Sequence, residues 1–186
     1  MAIDRKISPP SDWVLRFAPA IRQGGTVLDV ACGGGRHARY LSKQGFRVTA
    51  IDRDVSAMSD VVDIEVLEAD LEDESPWPLA GRRFDGVIVT NYLFRPLIPV
   101  LTDSLADGGV LVYETFGIGN ERFGRPQNPE FLLRPGELLQ AVSGRLSVLG
   151  YQAGTVNRPG LAVVQRIAAI RRSSFADPIR LPAPEQ

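Results

Sequence analysis

Sulfur and imidazole are nearly absent from this chain: it holds one cysteine, Cys32, and one histidine, His37, among 186 residues. A lone cysteine excludes an internal disulfide, and one cysteine with one histidine cannot build a structural zinc site, so no metal centre is expected. Both scarcities fit a reducing compartment, and the expected location is cytoplasmic. No run approaches the roughly eighteen apolar residues that mark a membrane-spanning helix. The charges Asp4, Arg5 and Lys6 have no apolar stretch behind them, so no signal peptide is expected. An excess of one charge sign is missing too: 21 Lys and Arg stand against 22 Asp and Glu. That balance argues against nucleic acid or a membrane surface as a general partner.

What is present suits one globular domain. Hydrophobic residues make up 44% and charged residues 23%, an ordinary soluble composition. A chain of this length buries roughly two-thirds of its unfolded surface and needs no staples. The domain is expected over 1–172. The stretch 173–186, with three prolines, reads as an extended or flexible tail. No internal repeat is visible.

Strand-like and helix-like patterns alternate along the domain. Thr26-Val27-Leu28-Asp29-Val30 is short, apolar and β-branched, and it stops at a glycine cluster, as a buried strand does. Good helix formers follow over 36–44 and end at Gly45. Further strands are expected at 47–52, 64–67, 84–90, 110–114, 146–151 and 161–170. Helices are expected at 56–61, 97–105 and 135–142. Strands separated by helices imply right-handed crossovers and a mostly parallel α/β sheet covered on both faces. The last two strands are joined only by a turn around Asn157 and Gly160, so that pair should be an antiparallel hairpin.

In open parallel sheets, ligands sit beyond the carboxyl ends of the strands. The residues after the first strand are Ala31-Cys32-Gly33-Gly34-Gly35, where the backbone can turn tightly and a ligand can approach closely. Cys32 inside this loop reads as a small packing residue. After the second strand comes Asp52, suited to accept hydrogen bonds from both hydroxyls of a ribose. After the third comes Asp70-Leu71: the carboxylate can accept from an adenine amino group, and the Leu71 amide can donate to a ring nitrogen.

Two ligand classes share this pattern. Gly33, Gly35 and Ala38 match the G-x-G-x-x-A form of the dinucleotide fingerprint. Asp29, at the end of the first strand, opposes an anionic pyrophosphate and favours the ammonium of S-adenosylmethionine. An NAD-dependent oxidoreductase is the alternative; the chain shows no recognisable Tyr-x-x-x-Lys pair. A non-catalytic cofactor-binding module is the other.

The segments 27–35, 48–54, 68–71, 84–91 and 105–111 stand in the order and spacing of the class I S-adenosylmethionine-dependent methyltransferases, and the chain resembles that family from about Trp13 to Arg171. The resemblance implies a Rossmann-like, seven-stranded, mostly parallel sheet with helices on both faces and an antiparallel last strand. It implies S-adenosylmethionine as cofactor. It assigns Asp29 to the ammonium and the backbone of Ala31, Gly33 and Gly35 to the methionine moiety. Asp52 would bind the ribose, Arg53 would flank the adenine, Asp70 and Leu71 would bind it, and Asn91 would lie near the sulfonium.

The methyl acceptor is less legible. Asn91-Tyr92 resembles the start of an Asn/Asp-Pro-Pro-Tyr motif but lacks its prolines, which argues against amide or base nitrogens. Tyr92 and Glu114, after the fourth and fifth strands, are candidates to orient the acceptor or take its proton, and His37 is a candidate general base. The irregular stretch 116–134 has the length of a lid or substrate loop. Its Arg122, Arg125 and Arg134, with Arg95, could bind an anion. Compactness resembles methyltransferases of small molecules, the tellurite-resistance type included. The expected partner is a small-molecule acceptor, with an anionic one in view.

Overall fold

The runs of β-branched and apolar residues pair as strands: Thr26–Val30 (β1), Arg47–Asp52 (β2), Ile64–Glu68 (β3), Phe84–Thr90 (β4), Leu105–Phe116 (β5), Ser147–Val156 (β6) and Ala162–Ile170 (β7). In this computed structural model, which describes residues 8–73, 75–157 and 159–172, they form one sheet in the order β3-β2-β1-β4-β5-β7-β6. Neighbours from β3 to β5 run parallel, whereas β7 lies antiparallel to both β5 and β6. The expected closing hairpin is therefore present. The expected tail at 173–186 lies outside the described residues.

Every residue of β4 is buried, as a central strand covered on both faces requires. Alternate side chains feed two cores. Leu28, Val87 and Leu111 point to one face, where Leu97–Asp103 (helix α3) and Glu137–Val142 (α4) supply Leu101, Leu138 and Val142. Val27, Ile88 and Val112 point to the other, against Asp12–Phe17 (α1) and Arg36–Lys43 (α2). Helix α1 is not among the helices expected from sequence. Ser11 caps it by accepting from the Trp13 N–H at 3.1 Å. Trp13 and Phe17 pack ring to ring, 4.6 Å apart, and bury themselves. Each contributes about 2–3 kcal/mol of transfer free energy.

All four expected helices are shorter than expected, with α2 ending at Lys43 and α4 starting at Glu137. The segment 56–61 is only a 3-10 turn at Ser56–Met58, and α3 ends at Asp103 because Leu105 already pairs with Phe84. At the amino-terminal edge of the sheet, Asp85 fastens β4 to β1. It accepts from Arg22 at 2.9 and 3.0 Å and from the Thr26 amide at 2.7 Å. The Arg22 guanidinium holds this carboxyl down to about 2, against the opposing effect of burial. The carboxyl-terminal edge, by contrast, carries the glycine loop and the chain after β2, β3, β4 and β5.

Candidate active site

Two residues at that edge hold a backbone conformation that side chains disfavour: Ala31 at φ 52° and Asn91 at φ 56°. Each directly follows a strand, β1 and β4, and these strands are paired. Left-handed non-glycine residues cost on the order of 1–3 kcal/mol and cluster at ligand sites. Both line a cavity of about 440 Å³, with Asp52, Arg53, Asp70 and Leu71. Six of the nine expected cofactor residues thus come together. Pro126 and Phe131, from the 116–134 stretch, cover the same cavity, and nothing in the sequence singles them out.

The other three support the cradle. Gly33 donates its N–H to Asp52 at 2.8 Å, tying the loop after β1 to the end of β2. No other heavy atom lies within 4 Å of where a side chain would begin at Gly33 or Gly34, so the loop presents bare backbone. Gly35, at φ 72°, is needed for the opposite reason: a Cβ there would stand 1.9 Å from Met58 Sδ.

Asp29 is wholly buried and does not line the cavity. Its carboxylate accepts from the Ala38 amide at 2.9 Å and so caps α2, whose N-terminal Gly35 has no side chain to do so. Burial pushes this carboxyl up to about 7, opposed by the Ala38 hydrogen bond and Arg36, and aided by Asp52. Burial, with Asp29 and Asp52 nearby, also pushes the Cys32 thiol up to about 12, as suits a packing residue.

The three acceptor-side candidates separate. Tyr92 lines the first cavity and not the neighbouring one. Its hydroxyl is buried without a hydrogen bond of ordinary geometry. Burial first, then the charges of Glu72 and Asp70, raise the phenol well above its usual range. His37 is buried beneath the N-terminal segment. Its Nε2 accepts from the Ser11 N–H at 3.1 Å, which leaves the proton on Nδ1, 3.3 Å from Thr90 Oγ1. Burial, aided by Arg36, pushes its pKa down to about 3. Both ring nitrogens are engaged, and that placement does not suit a general base.

Glu114 lines a second cavity, of about 550 Å³, which shares Asn91 with the first. Ser11 Oγ donates to its two oxygens at 3.0 and 3.1 Å. Arg166 Nε lies 2.6 Å from Oε2, an ion pair whose N–H is not aligned as a hydrogen bond. Of the expected anion-binding arginines, Arg95 is committed elsewhere. It pairs with Glu137 at 2.6 Å and donates to the carbonyls of Glu130 and Leu132, bracing the loop. Arg122 folds back on the Gly119 carbonyl.

The first cavity suits a nucleoside that carries positive charge. The carboxyl-bearing residues Asp52, Asp70 and Glu72 line it, against Arg53 as the one cation among the described residues. A pyrophosphate would meet mostly like charge there.

A family model for the methyltransferase domain matches residues 3–122, more than half of the chain. No curated protein matches the sequence significantly. The fold is similar to that of TehB from Haemophilus influenzae, with a TM-score of 0.68, 19% identity, and 87% of this chain and 62% of that one covered. The chain therefore spans less than two-thirds of that protein's length. A SAM-dependent methyltransferase from Methanosarcina mazei aligns with a TM-score of 0.66 at 16% identity, over 90% of this chain and all of its own. A TehB-like SAM-dependent methyltransferase from Corynebacterium glutamicum gives 0.60 at 19%, covering 86% and 87%. At these identities the likeness shows the fold. The family match shows the rest: the chain belongs to the methyltransferase-domain family.

Proposed function

We propose that this enzyme methylates a small molecule bound in the second cavity, using S-adenosylmethionine held in the first. The observation that carries the reading is that the two cavities meet at Asn91. S-adenosylmethionine supplies a methyl group on a positively charged sulfur, already activated for in-line displacement.

The protein's own task is then alignment and exclusion of water, which intramolecular models value at up to about 7–11 kcal/mol. Asp52 accepts from the ribose hydroxyls while Gly33 holds its orientation. Asp70 and Leu71 bind the adenine, and Arg53 flanks it. Tyr92 packs against the nucleoside rather than acting on the acceptor. The backbone of Ala31, Gly33 and Gly35 contacts the methionine moiety, and Asp29 holds the loop in shape behind it while adding negative charge toward the ammonium. Pro126 and Phe131 cover the cavity. Glu114 faces the acceptor, and His37 supports the N-terminal segment. The domain extends over 1–172.

The test is an isothermal titration of S-adenosylhomocysteine into wild type and Asp52→Ala. Loss of charged hydrogen bonds worth about 1.5–3 kcal/mol each predicts at least tenfold weaker binding. Unchanged affinity would remove Asp52 from the ribose site.

A further inference from the structure

The second cavity, at about 550 Å³, falls within the roughly 300–1,000 Å³ of pockets that enclose drug-sized ligands. An inorganic oxyanion or a short thiolate would leave most of it empty. Phe116, Val156, Leu161 and Val164 give it apolar walls. Among the described residues its charges are few. Glu114 is buried and already balanced by Arg166, whereas Arg36 lines the same cavity and forms no ion pair among the described residues. Asp12 lies exposed at its margin.

This distribution discriminates between acceptor groups. A substrate ammonium would meet a carboxylate whose charge is already neutralised, and a second guanidinium that repels it. A neutral O–H meets lone pairs on Glu114 that Ser11 and Arg166 leave free. Negative charge growing on that oxygen is favoured by both Arg36 and Arg166. Resting on the reading of this cavity as the acceptor site, we propose that the acceptor is a hydroxyl group carried on a neutral, largely apolar small molecule, and that Glu114 receives its proton.

The acceptor oxygen gives its proton to the Glu114 carboxylate and forms the new O–CH3 bond with a lone pair, while the sulfur keeps the electron pair of the broken C–S bond and becomes a neutral thioether. Ser11 is a positioning residue: as the cap of α1 it brings the N-terminal segment against the cavity and fixes the Glu114 oxygens from one side.

Protein saturated with S-adenosylhomocysteine is titrated with naphthol, octanol, naphthylamine, naphthalenethiol and sodium tellurite, and each is then incubated with S-adenosylmethionine while methylated product is followed by mass spectrometry. The expected result is binding and O-methylation of the hydroxyl compounds. Leu161→Asp, at a half-exposed turn position, should weaken naphthol binding at least tenfold and leave S-adenosylhomocysteine affinity unchanged. Glu114→Gln should retain naphthol binding while kcat falls about a hundredfold. Faster methylation of the amine, the thiol or tellurite overturns the proposal, as does absence of naphthol and octanol binding, or their binding without product. Failure of S-adenosylhomocysteine itself to bind contradicts the cofactor reading instead, so the two failures are distinct.

Discussion

Replacing Asp29 by asparagine should alter the pH dependence of stability in a calculable way. The folded chain raises this carboxyl from 3.8 to about 7, chiefly by burial. An acid with a raised folded pKa binds more protons folded than unfolded, so its contribution to stability falls as pH rises from about 4 through about 7 and is flat above. At about 1.4 kcal/mol per unit the full cost approaches about 4 kcal/mol, and about 2 kcal/mol of it develops between about pH 5.5 and about pH 8. His37 acts in the opposite sense. Its pKa is lowered from 6.5 to about 3, so neutralisation of the unfolded histidine restores about 1 kcal/mol over the same range. The histidine offsets only part of the loss in the wild type, and the informative quantity is the difference between the two proteins. The asparagine side chain of the Asp29→Asn variant would keep an acceptor for the Ala38 amide but has no charge to lose. Its unsatisfied NH2 imposes a constant penalty that does not affect the slope. Thermal melts across this range should show the variant gaining about 4–8 °C on the wild type as pH rises. Parallel curves would refute the argument that a buried, titrating carboxylate caps α2.

Gly35→Ala should destabilise the fold by about 1–3 kcal/mol, because its left-handed backbone and the Met58 thioether both reject a methyl group; chemical denaturation measures this, and an unaltered midpoint would contradict it. Arg95→Ala removes the brace between Glu137 and the carbonyls of Glu130 and Leu132. Faster amide exchange across 117–134, with S-adenosylhomocysteine bound less tightly, is expected; unchanged exchange would show that the loop holds its place without the brace.

The strands and their end-of-strand chemistry are legible in the sequence because both are local. A β-branched run such as Phe84–Thr90 announces a buried strand, and an acid or glycine at its end falls at the ligand edge by topology alone. What depends on distant partners is not legible. Arg95 reads as a free cation until the fold brings Glu137 beside it, 42 positions away. Helix α1 is six residues long, too short for a periodic signal, and only its cap Ser11 hints at it. Tyr92 reads as an acceptor residue because it follows β4, but the chain turns at left-handed Asn91, and Tyr92 lines the first cavity and not the one that Glu114 lines. Asp29 sits at the right end of the right strand, yet its capping of α2 depends on how closely the helix packs.

The most direct test of the account is a calorimetric comparison of S-adenosylhomocysteine and NADH binding to the same preparation. The account predicts micromolar binding of S-adenosylhomocysteine and none of NADH, because the carboxyl-bearing residues Asp52, Asp70 and Glu72 line the cavity where a pyrophosphate would have to lie. Binding of NADH without S-adenosylhomocysteine would contradict it.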